Sequence, residues 1–310
     1  MAQPRSQQVS LATTHYYHCI GRCVRRAFLC GEDTVSGRSF EHRRAWIMER
    51  LALLSEVFAI DLYAYAIMSN HYHLVVRISP EKTETWSDAD VAMRWLRLYT
   101  GPPYVRAWLS GVQREEATTQ RALEEIAKWR VRLSDLSWFM RCLNEPVARR
   151  ANEEDGCTGH FWEGRFKTQA LRDEASVLRC MAYVDLNPVR AGMAAVPEQG
   201  EYTSFQQRCQ RIADDSLPRP ALVDLSGKAV GGATPEAPCT VGALLLNDYL
   251  ELVDWTGRVE RTGSRQAIPE GAARIMQRLA LDKPGWLGLM RPRVCTVRPL
   301  GMGLAFSDRE

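Results

Sequence analysis

The stretch DLYAYAIMSNHYHLVVR, residues 61–77, decides how this chain is read. Tyrosine, valine, isoleucine and leucine suit a pleated, half-buried surface, and Met68-Ser69-Asn70 breaks the run in its middle. Side chains alternate across a strand, so His71 and His73 project from one face while Tyr72 and Leu74 point into a core. Two imidazoles on one face can share one ion. Taken alone, the pair is weak evidence for a metal, and two ordinary half-buried histidines are the commoner case.

Upstream, His15-Tyr16-Tyr17-His18-Cys19-Ile20 is aromatic and β-favouring and reads as a first strand. Ser39 is positioned to cap a helix running to Phe58, since Ile47, Leu51, Leu54 and Phe58 share one helical face. Strand, helix and strand imply a sheet with helices packed on it. Downstream, Pro80 and Gly101-Pro102-Pro103 punctuate a charged, helical stretch over about 80–136, in which Glu115 to Leu133 forms one helix. A further helix starts at Ser137, carries Trp138, Phe139, Cys142 and Leu143, and reaches Arg150. After a glycine-bearing loop, His160 to Lys167 reads as another strand, and a helix follows Asp173 as far as Asn187-Pro188. Residues 204–240 read as linker-like, being rich in Pro, Gly and Ala from 214. Residues 241–310 read as a C-terminal helical region, with helices over Asn247–Trp255 and Pro269–Leu281.

The 310 residues are 45% apolar and 25% charged, a globular composition that excludes a disordered chain. No apolar run approaches the ~18 residues of a membrane helix, and the first residues lack the apolar core of a secretory signal. Nine cysteines without a CxxC pair imply reduced thiols, a cytoplasmic location, and neither a disulfide scaffold nor a zinc ribbon. Net charge is only +3, but the positive charge gathers in residues 1–80, 104–150 and 256–310. Such blocks make either a local phosphate-binding surface or ordinary solvated helix faces.

The second informative string is CMAYVDLNPVR, residues 180–190. On a helix Val177, Met181 and Val184 form the buried stripe, and Tyr183 lies roughly 120° away from it. Asn187 follows one turn later on the face of Tyr183, and Pro188 ends the helix near there. By itself this is a partly buried tyrosine.

Together the two strings carry a resemblance. The chain resembles the HUH single-tyrosine transposases of bacterial insertion sequences, and among them the REP-associated tyrosine transposases. His71-Tyr72-His73 corresponds to the family's His-hydrophobe-His strand, and Tyr183 through Arg190 to its Tyr-x-x-x-Asn-Pro-Val-Arg/Lys helix. Gly159 to Lys167 matches its Gly-His-x-Trp-x-Gly-Arg-Phe element, with Ala148-Arg149-Arg150-Ala151-Asn152 ahead of it. The resemblance covers about residues 13–200. The insertion over 80–136 and the region after 205 depart from the shortest members.

The resemblance implies an α+β, HUH-type (ferredoxin-like) antiparallel sheet with helices on its faces, occupying residues 13–203. It implies a metal site at His71, His73 and Asn187, with Tyr183 as the catalytic nucleophile. The cofactor expected there is a divalent metal, Mg²⁺ or Mn²⁺; the first prefers oxygen donors and the second accepts imidazole. The implied activity is nicking and rejoining of single-stranded or hairpin DNA through a 5′-phosphotyrosine. The chain has no P-loop, which agrees with joining that needs no nucleotide.

For DNA contact the candidates are Arg149, Arg150, Arg165 and Lys167, with Trp162 as a stacking platform. Arg22, Arg25 and Arg26 could grip a stem, and so could Arg258, Arg261, Arg265, Arg274 and Arg278 near the C-terminus. His15, His18, His42 and His160 have no ligand-like partner in sequence and read as structural. A DNA-binding regulator that no longer cuts is the alternative, with a rolling-circle replication initiator behind it. Monomer and homodimer are both compatible with the sequence, and a membrane partner is not expected.

Overall fold

The computed structural model describes residues 8–24, 29–32, 37–112, 115–210, 219–223, 225, 246–259 and 267–278. Four strands form one antiparallel sheet: β1 (Tyr16–Arg22), β2 (Ile60–Ile67), β3 (His71–Ile78) and β4 (Lys167–Leu171). Their order, β2-β3-β1-β4, is that of a ferredoxin-like sheet, and the protein is α+β. The break at Met68-Ser69-Asn70 is the turn of the β2–β3 hairpin, closed by Met68 N–H donating to the His71 carbonyl.

Helices cover both faces. Helix α1 (His42–Val57) begins at Glu41 without a side-chain cap; Ser39 is not the cap expected of it. Four helices follow β3: α2 (Pro80–Thr85), α3 (Asp88–Leu96), α4 (Pro103–Leu109) and α5 (Glu116–Arg132). Ser87 and Asp90 form a capping box that starts α3. The long α6 (Leu136–Glu154), capped by Asp135, runs on through Pro146. Tyr17, Cys19, Tyr72, Leu74 and Val76 on one sheet face join Leu51, Leu54, Phe139 and Leu143 of α1 and α6 in one apolar cluster. Val91, Trp95, Ile126 and Trp129 of the 80–132 stretch belong to the same cluster, so the insertion shares the sheet's core.

Close packing on that face depends on a glycine. Gly21 stands opposite Tyr72, and a Cβ there would come 2.4 Å from the Tyr72 ring. Without that side chain the fully buried ring lies flat across β1, its hydroxyl donating to Asn144 Oδ1 of α6.

The other sheet face is covered by α7 (Glu174–Asp185), begun by a capping box between Asp173 and Ser176. Val177, Met181 and Val184 are its buried stripe, as the spacing required. Leu186 leads into the single turn α8 (Asn187–Arg190). A 3-10 turn, Pro197–Gln199, precedes α9 (Ser204–Gln210), which runs along the β2 edge through a Thr203–Ala66 bridge.

Two more expectations differ from the structure. His160 to Phe166 is not a strand: Trp162 makes one bridge to Cys23, and regular pairing begins only at Lys167. Aromatic content favours a strand only where a partner strand is present, and this segment lies beyond the β1 end. The linker-like reading of 204–240 also fails at its start, because α9 is packed against the sheet. The remainder of that stretch is described only at 219–223 and 225.

Helix α10 (Leu246–Arg258) lies within the compact unit spanning residues 1–272. A Cβ on Gly257 would come 2.8 Å from Leu186, so a bare backbone brings α10 against the end of α7. A second unit covers residues 273–310, described only to Arg278; it holds the turn α11 (Ile275–Arg278). The helix expected over Pro269–Leu281 is thus a turn at Pro269–Ala272 and this short piece, while Leu279–Leu281 lies outside the described residues.

Candidate active site

Register places the site. Ile20 pairs with His73 and His18 with Val75, so His18, Ile20, His71 and His73 all point toward α7. The His71 and His73 rings lie edge to face with centroids 4.8 Å apart. Tyr183 presents its ring to them from α7, 5.7 Å from His73 and 6.1 Å from His18. The structure therefore brings together three residues singled out in sequence, His71, His73 and Tyr183, and adds His18. Tyr72 faces the opposite core, where burial pushes its phenol far above the ordinary range.

Hydrogen bonds fix the imidazoles. His71 Nδ1 lies 2.5 Å from Asn70 Oδ1, and His73 Nδ1 lies 2.9 Å from His18 Nε2. His73 Nε2 is buried and has no hydrogen-bond partner. Burial lowers the His18 pKa to about 4. Burial also holds His73 well below its usual value, helped by His71 and His18 nearby. Both rings are thus neutral near pH 7, which leaves a nitrogen lone pair on each. Asn187 sits one turn beyond Tyr183, its Nδ2 donating to the Tyr183 carbonyl at 3.2 Å. That bond orients the amide and uses its nitrogen, so the oxygen lone pairs are what it can offer to a cation.

A neutral imidazole nitrogen buried without a partner is costly unless a cation or a donor completes it. His73 Nε2 fits a metal ligand on that ground. Among the described residues no group of three or more His, Cys, Asp or Glu is arranged to hold a metal ion. A metal held here would need ligands of another kind beside the histidines, such as an amide oxygen or water.

The DNA-contact candidates do not form one patch. Lys167 is exposed on the sheet face of His71 and His73, in one cross-strand row with Ile20 and His73, roughly 10 Å from the latter at the usual strand spacing. Arg22 pairs with His71 across the strands and lies 3.8 Å from Glu163. Arg149 and Arg150 stand on the exposed side of α6: the first bonds Glu145, the second lies 4.0 Å over the Trp46 ring. Trp162 is half-buried, edge-on to Tyr72, with its indole N–H donating to the Asn144 carbonyl. With Arg165, Met140, Glu145 and Phe166 it lines a cleft of about 400 Å³. Arg25, Arg26, Arg261 and Arg265 lie outside the described residues.

His18, which the sequence reads as structural, lies against His73 and Tyr183. His15 and His42 do serve locally, bonding the Ile78 carbonyl and Glu154. Nothing near His18 in sequence marks it out; its parity with His73 emerges only once β1 and β3 are paired.

No family model matches the chain, and no curated protein matches it. One solved structure, described as "Structure of the REP associates tyrosine transposase bound to a REP hairpin", aligns over 72% of this chain and 100% of that one. The identity is 11% and the TM-score 0.38. Among the described residues no helix is long and apolar enough to cross a membrane.

Proposed function

We propose that this protein is a metal-dependent transposase or endonuclease that nicks and rejoins single-stranded or hairpin DNA through a 5′-phosphotyrosine. The observation that carries the reading is the Tyr183 ring set against His73 and His18, beside a buried His73 Nε2 that has no partner.

His71, His73 and the Asn187 amide oxygen would hold the divalent cation, Mg²⁺ or Mn²⁺. Once bound, that cation polarises a phosphate oxygen and offsets charge growing on the departing 3′-oxygen. Tyr183 supplies the nucleophile. Its oxygen forms a bond to phosphorus as the phosphorus–O3′ bond breaks; the phenol proton passes to water and the 3′-oxygen takes one up. One phosphate ester replaces another, so a 3′-hydroxyl can reverse the step without a nucleotide. Asn187 steadies the helix end that carries Tyr183 by bonding its carbonyl. Lys167 and Arg22, on the same sheet face, are suited to the flanking phosphates. An unpaired strand can bend toward a tyrosine on a helix over a sheet, whereas a regular duplex holds its backbone against a partner strand.

The test incubates the full chain with labelled hairpin and fully paired oligonucleotides from the gene's own flanks, in Mn²⁺ or Mg²⁺. A denaturation-resistant protein–DNA adduct is expected with the hairpin alone, and it disappears in Tyr183→Phe and in excess chelator. Tight hairpin binding by the wild type with no adduct under any metal would establish a binder that does not cut. Equal cutting of the paired duplex would establish a double-strand nuclease.

A further inference from the structure

His18 has no place in the chemistry above, yet it touches it. It is 2% exposed and sits on β1 with its ring stacked on that of His73, centroids 5.1 Å apart and planes 18° apart. Its Nε2 lies 2.9 Å from His73 Nδ1. Two neutral imidazoles sharing that contact need one proton between the two nitrogens, and there are two ways to place it.

If His18 Nε2 carries the proton, His73 must keep its own on Nε2. That N–H would then be buried with nothing to accept it, and His73 could offer no lone pair there. If His73 Nδ1 carries it and donates to His18, the buried His73 Nε2 presents a lone pair instead. A buried lone pair without a partner suits a site completed by a cation. On β3, His71 is tied in the same way, its Nδ1 against the Asn70 side-chain Oδ1, which can only accept. In both rings Nδ1 is engaged by a neighbour.

We propose that His18 is a positioning residue: it accepts a hydrogen bond from His73 Nδ1–H and so locks His73 in the orientation and tautomer that ligates through Nε2. The proposal rests on the metal-dependent reading above. His18 does not itself touch metal or DNA. Its own proton sits on Nδ1. Partners of this kind fix a ligand ring and raise its basicity, and losing one costs roughly 10–100-fold in metal affinity.

The test has two readouts. In metal-free wild-type protein, nitrogen NMR of the histidine rings is expected to show His73 protonated at Nδ1 and His18 also at Nδ1. Protonation of His73 at Nε2 overturns the proposal whatever the metal does. In the second, Mn²⁺ affinity is measured by titration in wild type, His18→Leu and His18→Gln, each checked for folding by circular dichroism. The leucine variant should bind about 10–100-fold more weakly. Glutamine, whose side-chain oxygen can accept from His73, should recover most of that loss. Unchanged binding in His18→Leu overturns the proposal, and so does equal loss in both variants, which would make His18 a ligand. If wild type binds no Mn²⁺ while His73 is still protonated at Nδ1, the metal-dependent reading fails and the His18–His73 bond stands as proposed.

Discussion

Asp185 and His73 are both buried and polar, and both lie between α7 and the sheet, but their surroundings differ. Asp185 accepts hydrogen bonds from Ser204 Oγ, the Phe205 backbone N–H and Tyr249 Oη, with Arg208 3.8 Å away. Burial raises its pKa, and Arg208 and these donors oppose that shift. The group joins α7 to α9 and α10. His73 is equally enclosed, at 3% exposure, yet only its Nδ1 is answered. Burying a polar group is tolerable when partners replace water, so an answered cluster reads as architecture. The one-sided answer at His73 is the feature on which the proposed site rests. The same helix carries both: Tyr183 faces the His18–His73 pair, and Asp185, two residues on, has both carboxylate oxygens answered, although Arg208 Nη1 beside it makes no hydrogen bond.

The sharpest way to break this contrast is Asp185→Ala. It leaves Arg208 buried without its counter-charge and strips three donors of an acceptor, so stability should fall by about 3–5 kcal/mol in denaturant unfolding. A loss under about 1 kcal/mol would mean the cluster does not hold α7, α9 and α10 together. Next comes Tyr249→Phe, which keeps the ring and removes one hydrogen bond to a charged group. About 1.5–3 kcal/mol is expected from the same unfolding curves.

His73→Asn tests the other side. The fold should change by no more than about 1 kcal/mol, while Mn²⁺ binding and adduct formation are lost. If instead it unfolds the protein as Asp185→Ala does, His73 belongs to the architecture. The smallest structural effect is expected from Arg149→Ala, whose exposed ion pair with Glu145 contributes under about 0.5 kcal/mol. Its measurable consequence is on DNA: the slope of log affinity against log salt for the hairpin should drop by about one. An unchanged slope would remove α6 from the DNA surface.

Several of these features were legible before any coordinates. Strand alternation places His71 with His73 and sends Tyr72 to the core, where it is fully buried. Helical periodicity places Asn187 a turn after Tyr183, and Asp173 starts that helix as capping chemistry requires. The misread strand at His160–Phe166 shows the limit, since β-favouring residues without a partner strand make no sheet.

Local geometry is written in local sequence, because a strand repeats every two residues and a helix every 3.6. From this the amino-acid sequence by itself determined the paired histidines and the tyrosine–asparagine helix, while the broken run at 61–77 became a hairpin only in the folded structure. Tertiary structure alone decided that His18 meets His73, 55 residues away, and that Tyr249 meets Asp185, 64 residues away. Those meetings depend on strand order, register and the docking of α10. Such relations arise from burying apolar surface across the whole chain, and no short window of residues encodes them.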